Sequence, residues 1–222
     1  QIYGTAIHET LKNFFELARD SGKTPEKDWL LEKFSIHLKK QSLNENDFEE
    51  SLSKGKRALS GYYDTYLGTW NLNVITEYNI TGVALSPEIK LTGKIDKMEI
   101  ISDDNKVNVI DYKTSQPKTR NEIEGNTKNS DGNIKRQLVF YNLLLNKFED
   151  GKFKMVTGEI DFVEPNSKNQ FKKENFPVTK EEIDELEKVI RRVADEILNL
   201  SFWDKFCDNK DCEFCAIRRM MK

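Results

Sequence analysis

Hydrophobic residues in the first third of the chain recur every three or four positions, the spacing of a buried helix face. The same spacing appears in residues 4 to 20, in 26 to 40 and in 45 to 67. The pattern predicts three successive helices, and the second and third form a helical insertion over about residues 25 to 68. The stripe of the first helix consists of Ile7, Leu11, Phe14, Phe15 and Ala18.

Hydrophobic and polar positions alternate after residue 70, which is the pattern of a half-buried strand. Residues 72 to 84 form one such segment. Two more, residues 91 to 101 and 107 to 115, flank the turn-rich segment 102 to 105. The sequence therefore predicts a strand followed by a β-hairpin.

The hairpin brings two carboxylates into register. If Ile101 pairs with Lys106, paired positions sum to 207 and Asp96 lies opposite Asp111. Two carboxylates that face each other repel, so a stable pair requires a cation between them. Lys113 shares a strand face with Asp111. A solvated charged face, with Asp111 at the strand end, is the alternative interpretation.

The second half of the chain returns to mixed patterns. Residues 116 to 135 are polar and turn-rich, and residues 133 to 148 predict a helix. A strand follows over 153 to 163, then a polar loop over 164 to 175. A Thr-x-x-Glu capping box opens a long helix over 179 to 200. Its buried stripe is predicted to be Ile183, Leu186, Ile190, Val193, Ile197 and Leu200.

These elements together predict an α/β fold with a mixed central sheet flanked by helices. The length of 222 residues fits one domain over residues 1 to 222, with the helical insertion and a tail over residues 201 to 222. The chain starts without Met, as a piece of a longer protein would. No apolar run reaches membrane-spanning length, and we expect a cytoplasmic protein with no membrane partner.

The net charge of −3 gives no global sign of nucleic-acid binding, so any basic surface must be local. Residues 113 to 136 contain six basic and three acidic side chains, a local excess of +3. Lys118 and Arg120 lie in this segment and are candidate DNA contacts. A solvated loop explains the same excess equally well.

The three cysteines, Cys207, Cys212 and Cys215, all lie within the last sixteen residues. An odd, clustered set is a poor disulfide framework and is typical of a reducing compartment with a metal role. Zinc with a fourth, non-cysteine ligand and three reduced, unligated thiols are the two interpretations that follow from the residues alone.

The order of the polar motifs resembles one family. The chain has a Gly-x-x-x-His helix, an insertion, a strand with Glu, then Gly-x-x-Asp, Asp-x-Lys and Gln-x-x-x-Tyr. This order resembles the PD-(D/E)XK nuclease superfamily in its RecB-like branch. That branch includes the carboxyl-terminal domains of UvrD/Rep-type helicases, AddAB subunits and stand-alone CRISPR-associated exonucleases. The matching residues are Gly4, His8, Glu77, Gly93, Asp96, Asp111, Lys113, Gln137 and Tyr141.

The resemblance implies a restriction-endonuclease-like core and a metal-dependent deoxyribonuclease. It implies that His8, Asp96, Asp111 and the backbone carbonyl of Tyr112 bind Mg²⁺ or Mn²⁺, with Asp96, Asp111 and Lys113 as the catalytic residues. Oxygen-rich ligands suit both ions, and Mn²⁺ accepts the imidazole nitrogen more readily.

Further residues take supporting roles by the same resemblance. Gln137 and Tyr141, one helical turn apart, would contact DNA or orient the site. Glu77 is either an acid behind the metal ligands or the exposed face of a strand.

The resemblance also suggests partners and a second cofactor. It implies DNA, in single-stranded form in this branch, as substrate, and a covalently attached or associated helicase module in DNA repair or recombination. Some members hold a 4Fe–4S cluster with one early and three late cysteines. This chain has no early cysteine, so we expect an incomplete cluster here and an intact one in a longer protein. The alternative function is a catalytically inactive module of the same fold that binds DNA or docks a helicase.

Overall fold

A computed structural model describes residues 2–203, 205–209 and 211–220. The helices are α1 (Ile2–Ser21), α2 (Lys27–Lys39), α3 (Glu45–Tyr66), α4 (Arg120–Glu124), α5 (Asn133–Lys147), α6 (Lys180–Leu198) and α7 (Glu213–Met220). The strands are β1 (Val74–Ala84), β2 (Lys90–Ser102), β3 (Lys106–Lys113), β4 (Lys154–Phe162) and β5 (Lys172–Phe176). In the ranges described, no helix combines the length and the apolar character that crossing a bilayer requires.

The five strands form one mixed sheet in the order β1-β2-β3-β4-β5. Strands β3 and β4 run parallel, and the other neighbouring pairs are antiparallel. Helix α5 packs on one face of the sheet, and α1 with α2 and α3 covers the other. The predicted α/β class, a mixed central sheet flanked by helices as in restriction endonucleases, is confirmed.

Two motif glycines are explained by close packing. A Cβ atom on Gly93 would lie 2.4 Å from the side chain of Leu144, so β2 and α5 approach closely only because Gly93 has no side chain. A Cβ atom on Gly4 would lie 3.0 Å from Oγ1 of Thr114, where α1 crosses the end of β3. Both glycines therefore set how near a helix comes to the strands that carry the candidate site.

The hairpin register agrees with the prediction except beside the turn. Glu99 pairs with Asn108 and Ile100 with Val107, so these positions sum to 207. Lys106, however, pairs with Ser102, and not with Ile101 as predicted. A one-residue irregularity next to the turn absorbs the difference, so the error does not reach the acidic residues further along the strands.

Three short elements were not predicted. Helix α4 lies inside the predicted loop 116–135, between a capping box at Thr119 and a left-handed Gly125. Strand β5 lies at the end of the predicted loop 164–175, and its sequence Lys-Lys-Glu-Asn-Phe lacks hydrophobic alternation. Helix α7 lies in the tail. Each is too short or too polar for periodicity to reveal it.

The predicted buried stripe of α6 is only partly buried in its first half and is exposed in its second half. The capping box of Thr179 and Glu182 is present, and Ile183 and Ile190 pack against the core. Val193 and Ile197, in contrast, are 45% and 55% exposed. The last residue of α5, Lys147, pairs with Glu187, so α6 continues past the end of the helix on which it packs.

Candidate active site

Three carboxylates lie in a row across the first three strands. The residues on both sides of Glu77 and Asp96 are paired between β1 and β2, which places these two acids opposite each other. The register between β2 and β3 continues from the pair of Lys97 and Ile110, so Asp96 lies opposite Asp111. Like charges in adjacent strands destabilise a sheet unless a cation offsets them.

The side-chain alternation of β1 shifts at Glu77. Thr76 donates a hydrogen bond to Glu16 of α1, whereas Tyr78 packs on Phe148 and Phe153 on the other face. Glu77 itself has a φ of 50°, in the left-handed region that few non-glycine residues adopt. This local break in the strand turns the Glu77 carboxylate toward α1, where His8 lies.

His8 and Asp96 are held together on the α1 side of the site. Nδ1 of His8 lies 3.3 Å from Oδ1 of Asp96, and the backbone N–H of Tyr112 donates to Oδ2 of Asp96 at 2.9 Å. Both oxygens of Asp96 therefore have a fixed partner. Glu77 joins this group and forms an ion pair with Lys94.

Asp111 and Lys113 form a closed polar ring with helix α5. Nζ of Lys113 lies 2.6 Å from Oδ2 of Asp111 and donates to Oε1 of Gln137 at 2.7 Å. Nε2 of Gln137 donates to Oη of Tyr141 at 2.6 Å, and Tyr141 donates to Oδ1 of Asp111 at 3.2 Å. Gln137 and Tyr141 project to one site, as their spacing predicts.

The protonation of His8 and Asp111 reflects the crowding of acids. Burial opposes the protonation of His8, but the hydrogen bond and charge of Asp96 outweigh it and raise the pKa of His8. Burial raises the pKa of Asp111 to about 6, against the opposing charge of Lys113. Both groups hold protons more readily than free side chains, and a divalent cation would relieve the same excess of negative charge.

The donor atoms at this site fit a hard divalent cation. One ligand atom each from His8, Glu77 and Asp96 lies within 4.8 Å of the other two. They open into a cavity of about 320 Å³ that Gly4 and Thr5 also line. Carboxylate oxygens with one imidazole nitrogen suit Mg²⁺ or Mn²⁺. Glu77 thus faces the cavity and is not simply on the exposed side of its strand.

The two predicted DNA contacts lie outside this group. The Arg120 guanidinium stacks 4.3 Å from the ring centroid of Phe176 and pairs with Glu124 and Glu174, so it fastens α4 to β5. Lys118 is exposed and lines a separate cavity of about 390 Å³. Their role toward nucleic acid stays a prediction.

The three cysteines are brought together in the tail. The sulfur atoms of Cys207, Cys212 and Cys215 lie within 4.8 Å of one another, and Sγ of Cys207 is 3.5 Å from Sγ of Cys215. Cys215 is buried, at the first turn of α7. The geometry fits three thiolate ligands of one centre.

One side chain at the site was missed in the sequence. Lys94 pairs with Glu77 and lines the same cavity as His8 and Asp96. Its position two residues before Asp96 was a signal that could have identified it, because positions i and i+2 of a strand lie on the same side.

Comparison with known proteins identifies the family of this chain. No curated protein matches this chain. Among solved structures, the crystal structure of SSO0001 is 18% identical and aligns with a TM-score of 0.40 over 78% of this chain and 74% of that one. The sequence model of the PD-(D/E)XK nuclease superfamily matches residues 1–220. The chain belongs to the PD-(D/E)XK nuclease superfamily.

Proposed function

We propose that this protein is a metal-dependent deoxyribonuclease that hydrolyses phosphodiester bonds. The observation that carries the proposal is the placement of Lys113. Its ammonium is held between Asp111 and Gln137, on the strand next to the one that carries Asp96. A cation fixed beside facing carboxylates is suited to stabilising charge on a phosphoryl group.

The metal, Mg²⁺ or Mn²⁺, would be held by His8, Asp96, Asp111 and the Tyr112 carbonyl. When bound, such an ion polarises the scissile phosphate and lowers the pKa of a coordinated water. The observed group of His8, Glu77 and Asp96 supports the part of this assignment that it shares, because two of its three donors are hard carboxylate oxygen atoms. Asp96 is oriented for the role by His8 and the Tyr112 N–H, whatever the ion.

Lys113 would position the attacking water and stabilise the developing negative charge on the phosphate. Gln137 supports this role because it fixes the ammonium from the side of α5. Tyr141 orients the Asp111 carboxylate through the same ring of hydrogen bonds. These contacts hold both groups in place before substrate binds, which is what electrostatic stabilisation requires.

The substrate we propose is DNA, in single-stranded form, with Lys118 and the neighbouring exposed lysines along its backbone. The partner we propose is a helicase module, attached or associated, that supplies unwound strands during repair or recombination. Both rest on the RecB-like order of motifs. A non-cleaving module of the same fold is the alternative, and the complete set of Asp96, Asp111 and Lys113 speaks against it.

The cysteines would hold a second, structural centre. Three thiolates within reach of one another support a 4Fe–4S cluster in a longer protein or a zinc ion with a different fourth ligand. A cluster of this kind normally takes four thiolates, and the chain contains three cysteines. We therefore propose that the cluster is incomplete in this chain.

Labelled single- and double-stranded DNA, incubated with Mg²⁺, Mn²⁺ or EDTA, tests the proposal. We expect cleavage with either metal, faster on single strands, and none with EDTA. Asp111→Asn should abolish cleavage, and Asp104→Asn, an exposed carboxylate at the turn of the same hairpin, serves as the matched control. Equal cleavage by Asp111→Asn and the wild type would overturn the proposal.

A further inference from the structure

Charged side chains also lie beneath α1 and α3, on the face of the sheet away from α5 and the polar ring of Asp111. We define the rear charge cluster as Lys97 and Glu99 of β2, Glu159 and Asp161 of β4, and Lys173 of β5. It lies between the sheet and helices α1 and α3, and the polar ring of Asp111 and Lys113 contacts α5 on the other side. None of these five residues takes part in the proposed chemistry.

Lys97 is fully buried directly after Asp96 in the sequence. Its Nζ lies 3.0 Å from Oε1 of Glu99 and 3.9 Å from the ring centroid of Phe15 in α1. The ring of Tyr112 lies 5.7 Å away. The Lys97 ammonium therefore lies near the ring of Tyr112, and the backbone N–H of Tyr112 is the group that donates to Asp96.

Asp161 is also fully buried, and it is the parallel ladder partner of Tyr112. Its Oδ2 accepts a hydrogen bond from Tyr62 of α3 at 2.6 Å and pairs with Lys173 at 3.0 Å. Lys173 also lies 3.4 Å from Glu159. Within the described residues, Oδ1 of Asp161 and Oη of Tyr112 have no hydrogen-bond partner.

Stability alone does not account for this arrangement. Removing charges from water costs free energy that the attraction between them often fails to recover, and well-packed apolar residues do as well or better. Unpartnered buried oxygen atoms add to that cost. The best-attested benefit of buried charges is that they permit only one register of packing.

Register matters here because a slip by one residue turns every side chain to the other face. Such a slip of β2 against β3 would bring Lys97 toward α5 and take Asp96 away from Asp111. Lys97 and Glu99, which both belong to β2, would then leave Phe15 and Tyr112 together and face the apolar core beneath α5. The rear charge cluster therefore opposes the slip that would dismantle the facing carboxylates.

We propose that the rear charge cluster fixes the register of β2, β3 and β4, and that Lys97 is a positioning residue for the metal site. Lys97 acts through the backbone of Tyr112 and the strand position of Asp96, without touching substrate or metal. The metal-binding part of this proposal rests on the proposed function; the register part does not.

The test separates stability from positioning with two variants. Lys97→Met alone leaves the Glu99 carboxylate without its partner and should lower the melting temperature. The double variant Lys97→Met with Glu99→Leu removes both charges and should restore the melting temperature. The matched control is Asp104→Leu with Lys106→Met, an exposed ion pair on the same hairpin.

We expect the double variant to bind Mn²⁺ at least tenfold more weakly than the wild type by calorimetry, and to exchange the Tyr112 amide hydrogen at least tenfold faster without metal. A double variant with wild-type melting temperature, Mn²⁺ affinity and Tyr112 exchange would overturn the proposal. Should the double variant not fold, Glu99→Gln is measured with the same readouts and decided by the same outcomes. If the wild type binds no Mn²⁺, the proposed function fails, and amide exchange alone decides the register.

Discussion

The carboxylate of Asp96 accepts a hydrogen bond from the backbone N–H of Tyr112 at 2.9 Å, so an acidic side chain of β2 is tied to the strand that carries Asp111. The same carboxylate pairs with His8 of α1. Asp96 therefore joins three elements of the fold at one point. Its orientation is fixed by the fold, independently of a ligand.

Two substitutions of Asp96 should separate its charge from its hydrogen bond. Asp96→Asn retains an acceptor for the Tyr112 N–H, and Asp96→Ala leaves that N–H unsatisfied, at a cost on the order of 1–3 kcal/mol. We expect both to slow cleavage by roughly 10²-fold or more. Only Asp96→Ala should lower the free energy of unfolding in urea. Unchanged turnover in a folded Asp96→Ala protein would contradict the metal-site assignment.

The raised pKa of Asp111 predicts how stability depends on pH. The folded state binds this proton more tightly than the unfolded state, so the stabilisation is complete below pH 3.8 and is lost as pH rises through about 6. Asp111→Asn mimics the protonated form. It should stabilise the metal-free protein at pH 8 by at most about 3 kcal/mol, at 1.36 kcal/mol for each pH unit.

Urea unfolding in EDTA at pH 4.5 and pH 8 measures this difference. We expect the gain in unfolding free energy of Asp111→Asn over the wild type to shrink at pH 4.5. At that pH the Asp111 side chain of the folded wild type is largely protonated, and so is uncharged like the Asn that replaces it. Asp104→Asn, at the exposed turn, is the control. An equal gain at both values would show that Asp111 is not the titrating group.

Gln137 should influence turnover more than stability. It fixes the Lys113 ammonium from α5, so Gln137→Leu leaves Asp111 as the remaining partner. Loss of a supporting contact of this kind typically reduces activity by about 10- to 100-fold. Single-turnover cleavage and melting temperature are the measurements, with the exposed Asn146→Leu of the same helix as control. A Gln137→Leu rate equal to the control would remove Gln137 from the proposal.

The basic side chains before α5 should differ in their effects on DNA binding. Lys118 and Lys128 are exposed, whereas Arg120 is bound to Glu174 and Phe176. Neutralising both lysines should weaken DNA binding and reduce the salt slope by about 0.7 for each phosphate contact to a single strand. Arg120→Gln should mainly lower the melting temperature. A double-lysine variant with an unaltered slope would leave this segment as a solvated surface.

The cysteine cluster predicts a thiolate metal site in the tail. Co²⁺ added to the reduced protein without oxygen should give sulfur-to-metal charge-transfer absorption, because three sulfur atoms lie within reach of one ion. Cys207→Ser, Cys212→Ser and Cys215→Ser should each weaken that absorption. Iron and sulfide analysis of protein purified without oxygen distinguishes a cluster. Absence of both signals would show that the thiols are unligated.

Several elements follow from the sequence for a simple physical reason. Helices α1, α3 and α5, the hairpin and β4 have apolar residues at the spacing of their buried faces, so local pattern and tertiary burial agree there. The capping box of Thr179 and Glu182 is a local interaction and occurs as predicted. The order of the motifs identified the superfamily. Strand β5 could not be found, because its partner β4, and not its own pattern, makes it a strand.

Two lysines show what the sequence determined and what only the tertiary structure decided. Lys94 and Lys97 flank Asp96 in Gly-Lys-Ile-Asp-Lys, and the sequence fixes their strand and their spacing to the acid. In the fold, Lys94 is 51% exposed at the cavity beside Glu77, and Lys97 is fully buried beneath α1. The residues alone cannot make this distinction, because it depends on where α1 crosses the sheet and on the break in alternation at Glu77. The sequence determines which groups are present and in what order, and long-range packing decides which of them meet water.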